Sequence, residues 1–239
     1  MSKLTAFISD VHLLQAQAPN SKLFQEFLAK TAPGLSALYI LGDFFEYWVG
    51  EDLENDFQKA ICLELQKLAH MGCPVYFMPG NRDFLNTKAW ANKYSFQLLP
   101  DPYLLELGEK RVLLSHGDLL CNQDCSYAIY RSMVQNRLFK ALFFKLPKHY
   151  RQRLAEKMRQ ISSQPKDRKI YSDQPQTKIM ASWQQQFQFD FIVHGHTHIP
   201  RSETSRFVLS DWGREAHYLC FEAPENTWTL KNIHLHIEI

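Results

Sequence analysis

The sequence predicts an α/β fold organised around a parallel β-sheet, and three observations support this prediction. Residues 4–9, 37–41 and 75–78 are short apolar segments, as expected of strands buried in a parallel sheet. The segments between them have apolar residues at helical spacing, and polar side chains follow the strands directly. The order strand, helix, strand, helix, strand is typical of a parallel α/β core.

Two helices are predicted between these strands. The first begins at Asn20 or Ser21, since either residue can cap a helix. Its apolar face consists of Leu23, Phe24, Phe27 and Leu28. The apolar face of the second helix consists of Phe57, Ile61, Leu65 and Leu68. That helix is predicted to end before Gly72, which is followed by Pro74.

The rest of the chain predicts further short elements. A short helix begins at Asn86 or Thr87, and residues 103–107 and 111–114 form a hairpin around a turn at Gly108. A later helix presents Ile179, Trp183 and Phe187 on one face, and a strand at 191–193 follows it. Three strands are predicted in the tail, at 218–222, 228–231 and 233–239.

Length and composition predict a single domain over residues 1–239. Hydrophobic residues make up 45% of the chain and charged residues 22%, both ordinary for a globular protein. The apolar runs are shorter than the roughly 20 residues that cross a bilayer, and the first residues lack a secretory apolar region. We therefore expect a cytoplasmic protein, or one on the cytosolic face of a membrane. Five cysteines without a Cys-x-x-Cys pair predict reduced, packed thiols.

Positive charge is concentrated in residues 131–169. This segment contains twelve Lys or Arg and two acidic residues, whereas the whole chain has a net charge of only +2. It also contains an apolar patch, which consists of Leu138, Phe139, Leu142, Phe143, Phe144 and Leu146. We interpret the segment as a helical insertion within the domain. Basic amphipathic segments suit an anionic membrane, and an apolar groove can hold acyl chains. The alternative is a helical pair packed on the core with a solvated basic rim.

Seven side chains of metal-ligand type come from five segments near predicted strand ends. They are Asp10, His12, Asp43, Asn81, His116, His196 and His198. Loops at strand ends are where a rigid sheet fixes ligands while the site stays open to substrate. This set of oxygen and nitrogen donors without a thiolate suits Mn²⁺, Fe or Zn²⁺, and we favour Mn²⁺. Each motif alone is weak, but their order predicts a dinuclear centre.

The ordered motifs resemble those of the calcineurin-like metallophosphoesterases over residues 10–198. The resemblance implies a four-layer αββα sandwich in which Asp43 bridges two divalent ions. One ion would be bound by Asp10, His12 and His198, and the other by Asn81, His116 and His196. The resemblance also implies that metal-activated water attacks phosphorus directly, without a covalent nucleophile.

Arg82 narrows the class of substrate. Many members of this superfamily have His at this position, where it can protonate a leaving group. Arg stays cationic at neutral pH, but it can hold phosphate oxygens in a bidentate fork. The residue therefore favours a leaving group that needs no proton, such as the phosphate of a diphosphate. The alternative is a structural ion pair between Arg82 and Asp83.

Longer motifs resemble the UDP-2,3-diacylglucosamine pyrophosphohydrolase family of lipid A biosynthesis. They lie at residues 43–48, 80–84, 115–118, 158–159 and 194–200. The resemblance implies hydrolysis of UDP-2,3-diacylglucosamine by water attack on the α-phosphorus, which gives UMP and 2,3-diacylglucosamine 1-phosphate. It also implies a peripheral location on the cytoplasmic face of the inner membrane. The implied substrate contacts are Asn81, Arg82, Asp124, Ser162, Lys166, Lys169 and His196.

Two alternatives remain from the sequence. A nuclease or nucleotide phosphodiesterase of the same superfamily would use the basic segment to follow a nucleic-acid backbone. The aliphatic residues of that segment argue against nucleic acid, because backbone binding needs charge and stacking rather than aliphatic bulk. The other alternative is a scaffold that keeps the fold without catalysis, and the complete set of ligand residues argues against it.

Overall fold

The computed structural model describes residues 3–121, 131–133, 136–163, 177–213, 215–223 and 225–234, and the structural statements below concern these residues. The regular elements in chain order are β1 (Lys3–Ile8), α1 (Pro19–Lys30), β2 (Leu35–Leu41), α2 (Asp56–His70), β3 (Val75–Met78), α3 (Lys88–Lys93), β4 (Phe96–Leu98), β5 (Tyr103–Leu107), β6 (Lys110–Ser115), α4 (Asp118–Cys121), α5 (Arg137–Phe144), α6 (Lys148–Ser163), α7 (Thr177–Phe187), β7 (Phe191–His194), β8 (Arg201–Glu203), β9 (Arg206–Val208), β10 (Glu215–Ala223) and β11 (Thr227–His234). Short 3₁₀ turns lie at Ala32–Gly34 and Glu51–Leu53.

The strands form two sheets. The six-stranded sheet has the order β11-β10-β1-β2-β3-β4, in which β1 to β4 are parallel, β10 is antiparallel to β1, and β11 is antiparallel to β10. The five-stranded sheet has the order β5-β6-β7-β9-β8, with β6, β7 and β9 parallel. The predicted parallel core is therefore confirmed. The chain also contains a second, mixed sheet, and the two sheets carry the site residues at the ends of β1, β2, β3, β6 and β7.

Three apolar clusters define four layers. The first cluster joins α1, α2 and α3 to the outer face of the six-stranded sheet through Phe24, Leu65 and Trp90. The second fills the space between the sheets and consists mainly of Phe7, Leu41, Met78, Val112, Leu114, Phe191, Val193, Leu219 and Phe221. The third joins α7 to the five-stranded sheet through Trp183 and Ile192. The order helix, sheet, sheet, helix confirms the predicted αββα sandwich.

The helices follow the predicted apolar faces, with one correction. Helix α1 begins at Pro19 and its N-cap residue is Ala18, so the predicted caps Asn20 and Ser21 are wrong. Proline suits the first turn of a helix because its missing N–H would be unpaired there. The side chain of Asn20 is used elsewhere: its Nδ2 donates to the carbonyl oxygens of Val11 at 2.8 Å and His12 at 2.7 Å. Asn20 therefore stabilises the loop that carries His12.

The tail differs from the sequence prediction. Residues 228–231 and 233–234, which the sequence divides between two strands, belong to one strand, β11, which pairs with β10 from Glu222↔Thr227 to Glu215↔His234. Residues 235–239 lie outside the described residues. Strands β4, β8 and β9 were not predicted, since three residues each are too few to show a period. Cys62, Cys73 and Cys220 are buried and free, as predicted. The side chain of Cys121 and all of Cys125 lie outside the described part.

Helices α5 and α6 are fixed to the domain by a buried arginine. Arg151 of α6 is 2% exposed, and its Nη1 donates to the carbonyl oxygen of Val49 at 2.8 Å. The guanidinium also forms a bidentate ion pair with the carboxylate of Asp52. Its Nε donates to the carbonyl oxygen of Leu146 at 3.2 Å. Phe143 of α5 is buried in the first apolar cluster. The basic character of the segment is therefore partly structural, as the packed-helix alternative predicts.

Candidate metal centre

The seven predicted ligand side chains follow five strand ends. Asp10 and His12 follow β1, Asp43 follows β2, and Asn81 follows β3. His116 follows β6, and His196 and His198 follow β7. Because parallel strands of each sheet end at the same edge, these loops converge, and backbone hydrogen bonds link them directly. Asp10 N donates to Gly42 O at 3.1 Å, and Gly195 N donates to His116 O at 3.0 Å.

Five of these residues have left-handed backbone conformations. Positive φ angles occur at Asp10 (54°), His12 (52°), Asp43 (50°), His196 (70°) and His198 (59°). Such angles are uncommon for residues other than glycine, and they concentrate at functional sites where the surrounding structure holds them in place. Each turns the chain sharply after a strand and directs the side chain towards the site.

Asp10 lies at the centre of the first group of ligands. It is fully buried, and its Oδ2 accepts hydrogen bonds from the Ser9 hydroxyl and from His196 N at 2.9 Å. Its Oδ1 lies 3.4 Å from His198 Nε2 and 3.9 Å from His12 Nε2. Burial raises the pKa of Asp10, but contact with His198 and the nearby His116 and His12 outweigh it, so the pKa lies well below its ordinary value. Asp10 therefore contributes a negative charge to this group of predicted ligands.

His116 belongs to the second group. Its Nδ1 lies 3.0 Å from the carbonyl oxygen of Leu41, which can only accept, so Nδ1 is the donor. Its Nε2 then points to Asn81 Oδ1 at 2.9 Å and Asp43 Oδ1 at 3.6 Å. A neutral imidazole in this position faces two oxygen acceptors, and a cation between the three groups satisfies all of them.

The carboxylates of the site also favour a positive charge between them. Burial lowers the pKa of His116, but the carboxylates of Asp43 and Asp10 raise it to about 9. The ring of His196 lies 5.2 Å from that of His116, and burial together with His116 lowers the pKa of His196 to about 4. Two buried carboxylates thus hold a proton on one imidazole, in a position where a metal ion would replace it.

The positions of the donor atoms fit two ions. Donor atoms of Asp10, His12 and His198 lie within 4.8 Å of one another, and so do those of Asp10, Asp43 and His116. Asp10 Oδ1 and His12 Nε2 are buried and have no hydrogen-bond partner among the residues that the structure describes. Asp10 belongs to both groups, which the sequence did not indicate. Carboxylate, imidazole and amide donors suit Mn²⁺, Fe or Zn²⁺.

Glycines allow the loops to approach closely. A Cβ atom at Gly80 would collide with the Asp43 carboxylate, and one at Gly195 would collide with Asp10 and Ser9. A Cβ at Gly42, where φ is 87°, would lie 2.6 Å from His116 Nδ1. The motifs Gly-Asp, Gly-Asn and Gly-His therefore bring backbone and ligand side chains into contact.

Asp83 holds two of the loops together, a role that the sequence did not suggest. Its buried carboxylate accepts hydrogen bonds from Gly80 N at 2.7 Å, Phe44 N at 2.8 Å and Asp43 N at 3.3 Å. The predicted alternative of an Arg82–Asp83 pair is therefore wrong, since Arg82 Nη1 instead donates to Glu46 Oε1 at 2.8 Å. The backbone N–H of Arg82 donates to Asp43 Oδ1 at 2.8 Å.

Other carboxylates lie behind the ligands. Glu46 Oε2 lies 3.2 Å from His12 Nδ1, and Asp211 Oδ2 lies 3.6 Å from His198 Nδ1. Asp101 accepts the backbone N–H of His116 at 3.2 Å and pairs with Arg131. Metal-binding histidines commonly use their second nitrogen in this way, because it fixes the tautomer and orients the ring. The only feature of the sequence that points to Glu46 is its position three residues after Asp43, in the same loop.

The predicted substrate contacts are described only in part. Asn81, Arg82 and His196 lie at the site. Ser162 lies near the end of α6, but its side chain is not described. Asp124, Lys166 and Lys169 lie outside the described residues.

Comparison with known proteins identifies the family. A family model described as calcineurin-like phosphoesterase matches residues 4–200. Proteins named UDP-2,3-diacylglucosamine hydrolase are similar over nearly the full length. The one from Xanthomonas campestris is 37% identical over 235 residues, covering 92% of this chain and 95% of the relative. The one from Hahella chejuensis is 38% identical over 224 residues, covering 90% of this chain and 91% of the relative.

The fold also has a counterpart among solved structures. A dimetal phosphatase from Danio rerio is similar with a TM-score of 0.50 and 12% sequence identity, over 97% of this chain and 96% of that chain. At this identity the likeness concerns the fold alone. From the family model and the full-length relatives, the chain belongs to the calcineurin-like phosphoesterases and, within them, to the family of the UDP-2,3-diacylglucosamine hydrolases.

Proposed function

We propose that this protein hydrolyses the diphosphate bond of UDP-2,3-diacylglucosamine to UMP and 2,3-diacylglucosamine 1-phosphate in lipid A biosynthesis. The observation that carries the proposal is the position of Arg82. Its backbone is bonded to the Asp43 carboxylate, and its guanidinium lies beside the cluster of ligand side chains. The activity named for the full-length relatives supports the same substrate.

Seven residues hold two divalent ions in this proposal, with Mn²⁺ as the favoured metal. They are Asp10, His12, Asp43, Asn81, His116, His196 and His198. When bound, such ions polarise phosphoryl oxygens and lower the pKa of water, which removes the need for a protein nucleophile. The residues of the chain determine where the ions lie. Asp43 is held by Arg82 N, and His116 is oriented by Leu41 O.

Arg82 contributes charge rather than a proton. Its guanidinium stays protonated and binds the oxygens of the diphosphate, whose phosphate leaving group needs no general acid. The remaining contacts to sugar and phosphate come from Asp124, Ser162, Lys166 and Lys169. Asn81 and His196 contact the substrate from the side of the metal ligands. Preorganised positive charge of this kind stabilises the negative charge that develops in the transition state.

The insertion over residues 131–169 contacts lipid. Five exposed apolar or aromatic side chains recur every four residues on α5, in the turn after it and on α6, and together we call them the exposed stripe: Leu138, Leu142, Leu146, Tyr150 and Leu154. Leu138, at 75%, is more exposed than any other large apolar side chain that the structure describes. None of the described helices is long and apolar enough to cross a bilayer. We therefore assign the stripe and the neighbouring basic residues to an anionic surface, the cytoplasmic face of the inner membrane.

The test is an assay of UMP release. Purified protein is stripped of metal and incubated with UDP-2,3-diacylglucosamine, with and without Mn²⁺, and with single- and double-stranded DNA in parallel. We expect UMP only when Mn²⁺ and the lipid substrate are both present. Hydrolysis of DNA without turnover of the lipid would favour a nuclease, and no metal-dependent hydrolysis of either would favour a scaffold.

A further inference from the structure

Glu46 contacts both a predicted metal ligand, His12, and the proposed phosphate-binding residue, Arg82. Its Oε2 lies 3.2 Å from Nδ1 of the metal ligand His12, and its Oε1 accepts a hydrogen bond from Arg82 Nη1 at 2.8 Å. Each carboxylate oxygen therefore has a different partner. The three side chains are 19%, 16% and 19% exposed for Glu46, His12 and Arg82, so water screens these contacts only in part.

The backbone explains why Glu46 lies in this position. The pairing of β1 with β2 continues beyond the strand ends: His12 N donates to Asp43 O at 3.0 Å, and Leu13 N to Phe44 O at 2.9 Å. Glu46 N then donates to Leu13 O at 3.0 Å. This parallel pairing places Glu46 beside the residue after His12. Neither of the two segments, the one after β1 or the one after β2, can shift its register without losing these hydrogen bonds.

The loop after β3 places Arg82 next to Glu46. Its carbonyl oxygen accepts a hydrogen bond from Trp48 N at 3.2 Å, and its N–H donates to the Asp43 carboxylate. The side chain then extends from a fixed backbone to Glu46. Without that carboxylate, the long guanidinium side chain would recover its rotamer freedom and would lose the orientation that a bidentate contact requires.

We infer that Glu46 is a positioning residue that fixes both a metal ligand and the phosphate-binding arginine. Glu46 Oε2 lies 3.2 Å from His12 Nδ1, and this nearby negative charge favours the tautomer that carries its proton on Nδ1. Nε2 is then unprotonated and faces the metal site, where Asp10 Oδ1 lies 3.9 Å away. Accepting from Arg82 holds the guanidinium near the reacting phosphates. The part that concerns Arg82 rests on the proposed function, whereas the part that concerns His12 rests only on the metal site.

Two variants of Glu46 separate the two contacts. Glu46→Ala removes both. Glu46→Gln keeps an oxygen that accepts from Arg82 but turns an amide N–H₂ towards His12 Nδ1. That donor favours the tautomer with a proton on Nε2, which cannot bind a metal. Arg82→Ala removes only the arginine contact. Glu222→Gln is the matched control, since Glu222 pairs with Lys231 on β10 and β11, away from the site.

The first measurement is calorimetric titration of the metal-free proteins with Mn²⁺. We expect Glu46→Ala and Glu46→Gln to weaken binding by about 10- to 100-fold, as is usual for carboxylates behind metal-bound histidines. Arg82→Ala and Glu222→Gln should stay within about twofold of the parent protein. Parent-like Mn²⁺ affinity in Glu46→Ala, with the protein folded by circular dichroism, would overturn the role assigned to it at His12.

The second measurement is UMP release at saturating Mn²⁺. Glu46→Gln should recover most of its kcat/KM there, whereas Glu46→Ala should remain impaired because Arg82 has lost its partner. In the double variant Glu46→Ala/Arg82→Ala, the two losses should not multiply. Independent, multiplying losses would overturn the role at Arg82. If the parent protein releases no UMP at all, the proposed function fails, and the Mn²⁺ titration decides the inference on its own.

Discussion

The carbonyl oxygen of Leu41, the last residue of β2, accepts a hydrogen bond from His116 Nδ1 at 3.0 Å. This contact joins the two sheets at the site, because Leu41 belongs to the six-stranded sheet and His116 follows a strand of the other. It also determines which ring nitrogen faces Asp43 and Asn81. A main-chain atom whose position is set by strand pairing thus orients a predicted metal ligand, independently of any side chain.

Asp43 should be indispensable for turnover. It lies 3.6 Å from His116 and belongs with Asp10 to one of the two ligand groups. We expect Asp43→Ala to lower the rate of UMP release by at least about 10³-fold, since the ions supply several kcal/mol of transition-state stabilisation. Asp56→Ala, in the exposed first turn of α2, is the control and should leave the rate unchanged. A near-normal rate for Asp43→Ala would contradict the bridging role.

Asp83 should matter for stability more than for binding. Alanine at this position leaves three buried backbone N–H groups without their acceptor, and each such group costs about 1–3 kcal/mol. We expect the free energy of unfolding in urea to fall by about 3 kcal/mol or more for Asp83→Ala, and by less for Asp83→Asn, which keeps one acceptor oxygen. Equal stability of the two variants would show that the hydrogen bonds are not the cause.

Arg151 should anchor the insertion in a pH-dependent way. The guanidinium lowers the pKa of Asp52 below its ordinary value, so the ion pair stabilises the folded protein above the unfolded-state pKa of about 3.9. That contribution is lost as the pH falls through the lower pKa of folded Asp52. Because Asp52 is 41% exposed, we expect this pH-dependent part to be small.

The measurement is urea unfolding of the parent and of Arg151→Ala at pH 7 and at pH 3. The variant should be less stable by about 1–3 kcal/mol at pH 7, because the hydrogen bonds to Val49 and Leu146 are lost as well. The difference in the free energy of unfolding between the parent and Arg151→Ala should be smaller at pH 3 than at pH 7. A difference that widens on acidification would rule out Asp52 as the partner that matters.

The exposed stripe should bind membranes without contributing to folding. We expect Leu138→Glu to abolish sedimentation with vesicles that contain phosphatidylglycerol, while the unfolding free energy changes by less than about 0.5 kcal/mol. Met71→Glu is the matched control, because Met71 is 71% exposed but lies at the end of α2. Equal loss of vesicle binding in both variants would indicate a general charge effect rather than a specific surface.

Features that depend on short stretches of sequence, such as buried strands, helices and the loops that follow strands, can be predicted from the sequence. Apolar runs and helical spacing predict the core strands and helices. The motifs Asp-x-His, Gly-Asp, Gly-Asn, Ser-His and Gly-His-x-His after strands predict the seven candidate ligand residues. The start of α1 was misplaced because Asn20 bonds to a distant loop instead of capping its helix. Strands of three residues, such as β4, have too few positions to show alternation.

Contacts between distant residues could not be predicted. Glu46 and Arg82 are 36 positions apart, and Arg151 reaches Val49 across 102 positions. Nothing near Arg82 in the chain indicated that its partner would be Glu46 rather than the adjacent Asp83. Such pairs depend on the register of strands and on where loops meet. That information exists only after the sheets have formed.

The left-handed backbone at Asp10, His12, Asp43, His196 and His198 implies a conflict between two kinds of selection. The left-handed conformation at each of these residues lowers the free energy of unfolding by about 1 kcal/mol, because a Cβ atom is crowded there and glycine has none. Directed evolution for heat resistance alone would relieve this strain with glycine where the side chain adds little to folding, as at His198, which is 41% exposed. That replacement would remove a predicted metal ligand. Screening for turnover would reject the same replacements, so improved variants of this enzyme should carry their gains elsewhere in the sandwich.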